Sequence, residues 1–170
     1  MDYATIELAS EAALTAAYEC GHQDYECGGV IYEWPDGRFT FSRPITDHKP
    51  FGVTIPYLYS VPPPAGARVA ADFHTHACLP QNWRFAPFFS FADANVNDGF
   101  HIIGYMLDTC SGLVHRYAPG ADDRDDEEVD FVPHADGTVH PPLYLTVGHI
   151  SGWINLSNVG RYRKAPCDQS

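Results

Sequence analysis

Arg68-Val69-Ala70-Ala71-Asp72-Phe73-His74-Thr75-His76 follows the breaker cluster Pro62-Pro63-Pro64-Ala65-Gly66 and contains no breaker of its own. It reads as a strand, bounded upstream by that cluster. Side chains alternate along a strand, so His74 and His76 share one face while Thr75 takes the other. Residues 77–89 then read as a loop, interrupted by Pro80 and Pro87 and carrying Trp83, Phe85, Phe88 and Phe89, with Phe91 just beyond. Residues 90–96 read as a short helix opened by Ser90.

Working outward, residues 5–20 (TIELASEAALTAAYEC) are rich in Ala, Leu and Glu and place Ile6, Ala9, Ala13, Ala16 and Ala17 on one stripe, which predicts a helix stopped at Gly21. Residues 29–34 and 38–42 are strand-like, and Pro35-Asp36-Gly37 between them signals a hairpin. Residues 43–67 read as irregular. Beyond the loop 77–89 and the helix 90–96, residues 101–107 and 112–117 predict a second hairpin through Asp108-Thr109-Cys110-Ser111. Residues 121–130, ADDRDDEEVD, are a charge run that reads as a solvated loop, with partner steering as the lesser reading. Residues 143–154 form an apolar piece ahead of a polar tail expected to fray.

The 170 residues suit one domain spanning 1–170. The 45% hydrophobic content is enough for a core, while 14 Pro and 14 Gly weigh against an all-helical bundle. A formal charge of −12, from 10 Lys and Arg against 22 Asp and Glu, leaves few cations for phosphate, the only cluster being Arg161, Arg163 and Lys164. No nucleic-acid partner is expected. The acidic N-terminus is unlike a secretory signal, and no apolar run approaches membrane-spanning length, so no membrane partner is expected either. Five cysteines (Cys20, Cys27, Cys78, Cys110, Cys167) show no regular framework and are expected to be reduced thiols. The location expected is cytoplasmic, or export by a route without a cleavable signal.

His74 and His76 on one strand face supply half of a tetrahedral zinc site. Ser90-Phe91-Ala92-Asp93 has the spacing of a helix capping box, and the same geometry brings Ser90 and Asp93 together at one helix N-terminus. Asp93 can then be a third ligand, leaving a fourth position for water, as catalytic zinc requires. Cys78 is the alternative third ligand. Glu26, just ahead of an apolar strand, reads either as a solvent-facing strand end or as a general base beside the metal.

Glu26, His74-Thr75-His76 and Ser90-Phe91-Ala92-Asp93 together resemble the signature of the JAMM (JAB/MPN-like) zinc metalloproteases, an upstream Glu followed by H-x-H and S-x-x-D. Glu26-Cys27-Gly28-Gly29 is similar to that family's opening, and the hairpin 103–117 to its strand pair after the metal helix. More narrowly, the order of parts resembles a JAB-related domain of unassigned function found in bacterial polymorphic, repeat-containing toxins. The resemblance covers residues 5–118 and leaves 119–170 as an unassigned C-terminal extension. It implies an α/β fold, a mixed curved sheet flanked by helices (JAB/MPN, cytidine-deaminase-like). It also implies zinc on His74, His76 and Asp93, Glu26 as the base and Ser90 as an oxyanion donor. The implied reaction is hydrolysis of an amide, isopeptide or peptide. Two departures stand out: residues 77–89 are longer than the family's spacing, and Ala77 replaces the Pro that often follows the second His.

The implied partners are a protein or peptide substrate, such as a ubiquitin-like conjugate, and an immunity protein if the chain is a toxin domain or effector. Two other classes of function compete. One is a non-catalytic JAB/MPN-like binding module, which the complete Glu/His/His/Ser/Asp set disfavours. The other is a cysteine hydrolase using Cys27 or Cys78, for which no sequence context activates either thiol.

Overall fold

The computed structural model describes residues 1–79, 89–110, 112–119 and 168–169. The aromatic segment 80–88, the acidic run 121–130, the apolar piece 143–154 and the cluster Arg161, Arg163 and Lys164 lie outside the described residues. The architecture is a mixed α/β one, an open sheet with helices on both faces. Helix α1 (Ile6–Gly21) is capped by Thr5, whose hydroxyl accepts the Leu8 N–H, and ends at Gly21 as predicted. Its buried stripe is Ala9, Ser10, Ala13, Leu14 and Ala17. Ile6 and Ala16 lie at the margins, because Leu14 rather than Ala16 points at the sheet.

Strands β1 (Gly28–Glu33) and β2 (Phe39–Phe41) form the predicted first hairpin, with Glu33 opposite Phe39 and Gly37 at positive φ in the turn. Residues 43–67 are more ordered than the expected irregular stretch. They contain β3 (Ile45–Thr46), which pairs with β1 at Gly28, and the one-turn helix α2 (Pro56–Tyr59). Pro44 has no N–H to give a ladder, so the strand is interrupted between β2 and β3. Ser42 spans that break: its N–H donates to the Val30 carbonyl at 2.8 Å and its Oγ accepts the Val30 N–H at 2.9 Å.

Strand β4 (Arg68–His76) has the predicted limits. Helix α3 (Phe91–Phe100) is longer than the expected 90–96. Strands β5 (Ile103–Asp108) and β6 (Leu113–Tyr117) make the second hairpin. The polar tail, expected to fray, contributes β7 (Asp168–Gln169), parallel to β3. The order is β6-β5-β4-β1-β3-β7, with β2 also on β1. β4 and β5 run parallel, linked by the α3 crossover, while β1 and β6 run antiparallel to their neighbours. Among the described residues the core falls into three clusters, one of them formed by Val30, Tyr32 and Ile55. Phe73, Tyr105, Leu107, Ile31 and Val114 pack under α1. Phe89, Ala94, Met106 and Tyr117 pack on the α3 side.

The expectation of reduced thiols is corrected at one pair: Cys78 and Cys110 form a disulfide with Cα atoms 4.9 Å apart. The strand register explains it. His76 stands beside Asp108 in the parallel β4–β5 pair, so the residues two positions beyond each are also neighbours. Cys20 and Cys27 stay outside that bond as thiols, Cys27 being buried. No helix among the described residues is long and apolar enough to cross a membrane.

Candidate metal centre

His74 and His76 close β4 on its α3 face, and both are buried. Met106 and Asp108 flank them on β5 through the registers His74–Met106 and His76–Asp108. The Phe89 ring meets His74 edge-on, with centroids 5.7 Å apart. Asp93 arrives from above, in the first turn of α3. The capping box is present in full: the Asp93 N–H donates to Ser90 Oγ at 3.2 Å, and the Ser90 N–H donates to Asp93 Oδ2 at 2.8 Å. Cap and ligand geometry therefore coincide, since the oxygen held by Ser90 is also the one facing both imidazoles.

The donor atoms converge. His74 Nε2 and His76 Nε2 are 3.3 Å apart, and Asp93 Oδ2 lies 3.6 Å from the first and 3.4 Å from the second. Among the described residues these three form the group of His, Cys, Asp and Glu side chains able to hold a metal ion. Cys78, the alternative third ligand, is bonded to Cys110 and offers no thiolate.

Glu26 reaches the same face from just ahead of β1. Gly28 pairs with His74, and one residue back Thr75 and Cys27 are tied by Thr75 N–H to Cys27 O at 2.9 Å and Cys27 N–H to Thr75 Oγ1 at 3.0 Å. Extending that register by one sets Glu26 opposite His76, and residues opposite one another point to the same side. Gly28 permits this approach: a Cβ there would lie 2.8 Å from the Phe73 carbonyl oxygen and 3.1 Å from the His74 Cβ. The Glu26 N–H donates to Lys49 O at 3.0 Å. Half-buried, Glu26 is not a fully solvent-facing strand end.

Charge in the site follows from burial and pairing. Burial raises the Glu26 pKa, partly offset by His76 and His74, with Asp93 adding to the rise. Burial opposes charge on His74, but Asp93 and then Asp72 outweigh it and hold the imidazole well above its ordinary range. Asp93 is opposed by burial in the same way, yet the two histidines hold it well below the usual carboxylate range. Carboxylates thus surround the two imidazoles, an arrangement that attracts a cation.

Several supporting residues escaped the sequence reading. The Thr109 N–H and hydroxyl both donate to the His76 carbonyl, at 3.3 and 2.7 Å. Gln23 Nε2 donates to Thr109 O at 2.9 Å, and the Cys78 N–H donates to Gln23 O at 2.9 Å. This circuit ties the end of β4 to the β5–β6 turn and to the segment that leads into Glu26. Asp72 and Asn97 also lie behind the site; the period of two that joins His74 to His76 extends back to Asp72 and was the available signal.

No protein-family model matches the sequence, and neither curated proteins nor solved structures give a match.

Proposed function

We propose that this chain is a zinc-dependent hydrolase of the JAMM type, with the JAB/MPN fold, cleaving an amide bond in a peptide or isopeptide. One observation carries the reading: the spacing of 3.3, 3.4 and 3.6 Å among two imidazole nitrogens and one carboxylate oxygen. Zinc with bonds of about 2.0–2.1 Å in a tetrahedron has ligand–ligand edges of about 3.3–3.4 Å. Three protein donors with the fourth position left open is the set of catalytic rather than structural zinc. The fold reading is supported by the order of parts around that set: helix, Glu26-Cys27-Gly28-Gly29, hairpin, His74-Thr75-His76, Ser90-capped helix, hairpin.

Zinc bound there would supply a Lewis acid that polarises a carbonyl and eases loss of a proton from water near neutral pH. Glu26 takes the proton of the attacking water and passes it to the leaving nitrogen. Ser90 Oγ is held by the Asp93 N–H and still has its own hydrogen to donate to the oxyanion. As the nitrogen takes the proton the C–N bond breaks, releasing a carboxylate and an amine.

The substrate class is a protein or peptide, with a ubiquitin-like conjugate as one instance and an immunity protein as the further partner of a toxin domain. Of the two locations expected, cytoplasmic or exported as an effector, the Cys78–Cys110 disulfide favours export, because disulfides persist in oxidising surroundings.

The test is Glu26→Gln, which keeps size and polarity but removes the base. On a panel of peptide and isopeptide substrates, turnover should fall about 10²–10⁴-fold with zinc content and fold unchanged. Wild-type turnover in the variant contradicts the assignment, and loss of zinc moves Glu26 into the ligand set.

A further inference from the structure

Asp72 stands two residues before His74 on β4, on the same face, and only 3% of it is exposed. The proposed reaction makes no use of it. Its Oδ2 faces His74 Nδ1 at 3.7 Å, an ion-pair distance longer than a hydrogen bond. On the other side of the ring, Nε2 faces Asp93 Oδ2 at 3.6 Å. The imidazole therefore lies between two carboxylates, Asp93 in the donor cluster and Asp72 behind it.

Asp72 is itself held. The Asn97 side-chain amide donates to Asp72 Oδ1, and Asn97 is fully buried. Asn97 follows Asp93 by four residues on α3, so one helix face delivers both the ligand and the group that holds the carboxylate behind His74. Space for that amide comes from β5. Gly104 pairs with Asp72, and a Cβ at Gly104 would stand 2.9 Å from Asn97 Cγ and closer still to its Oδ1. Glycine is thus the residue that admits Asn97.

We propose that Asp72, held by Asn97, is the positioning residue that presents His74 to the metal, an inference that rests on the zinc-site reading. A neutral imidazole offers a lone pair at Nε2 only when its proton sits on Nδ1. A carboxylate facing Nδ1 selects that tautomer, fixes the ring plane and makes Nε2 the stronger donor. Removing such a partner lowers metal affinity about 10–100-fold. A purely structural role, filling the space between β4 and α3, makes no such demand on affinity.

Zinc dissociation constants of the full chain, measured by competition with a chromophoric chelator, test this in wild type and Asp72→Asn. The expected result is binding about 10–100-fold weaker in Asp72→Asn, with the circular dichroism of the metal-free protein retained. The His74 Nδ1 proton in the zinc-loaded form, seen by ¹⁵N–¹H NMR, should also move upfield. Tight zinc binding in wild type with equal affinity in Asp72→Asn overturns the inference and leaves the zinc site standing. Absence of zinc binding in wild type overturns both. If Asp72→Asn does not fold, Asn97→Ala decides: weaker zinc binding supports the inference, and unchanged affinity overturns it.

Discussion

Ser90 and Asp93 form one capping pair that also sets the position of a candidate metal donor. The capping box satisfies two helix N-terminal donors, and it does so by pinning the carboxylate oxygen that faces both histidines. Ser90→Ala should therefore act twice. Loss of the cap should lower stability by about 0.5–2 kcal/mol, read by denaturant titration. Turnover should fall by about 10²–10³ if the hydroxyl is the oxyanion donor proposed above. A variant slightly less stable yet fully active would leave Ser90 with the cap alone. The residues behind the site were harder to read in advance. His74, His76, Ser90, Asp93 and Glu26 stand at spacings that mark them as candidates in the sequence. Asp72 and Asn97, by contrast, have polar side chains that a sequence pattern assigns to the surface, and only the register with Gly104 explains their burial.

Elements with strong punctuation were legible in the sequence. Pro and Gly bound β4 and the first hairpin, Ser90 opens α3, and Gly21 ends α1, where a Cβ would stand 2.8 Å from Cys27 Sγ. Elements sustained by partners were not. β3 is two residues long and exists through its pairing with β1 and β7, and α2 is a single turn, lengths at which periodicity carries no signal. The buried face of α1 was partly misjudged for a related reason: alanines dominate it, and many alanine stripes fit equally well. Leu14 decides the orientation, being fully buried within the core that α1 shares with Ile31, Phe73 and Leu107. Leu14→Ala should cost about 2–5 kcal/mol of unfolding free energy, against a small effect for Ala16→Ser at the margin, both read from urea midpoints. Equal effects would place the helix in a different rotation.

Among the described residues, a strand bearing two candidate metal donors, a capped helix and the carboxylate of Glu26, two residues ahead of β1, share one side of the sheet, while the opposite face packs under α1. The Cys78–Cys110 disulfide closes a loop from the end of that strand to the β5–β6 turn, spanning 32 residues. Nothing in the spacing of the cysteines announced it, since it depends on the parallel register of β4 and β5. It also separates two sets of ligands by experiment, because a zinc site on Asp93 tolerates loss of Cys78 and a site on Cys78 does not. Metal content of the purified full chain, by mass spectrometry of the metal against protein concentration, is the direct measurement. The result foreseen is one zinc per chain in wild type and in Cys78→Ser, falling sharply in His74→Ala and Asp93→Ala. Wild-type protein without zinc after zinc loading, or full zinc in Asp93→Ala together with its loss in Cys78→Ser, would contradict it.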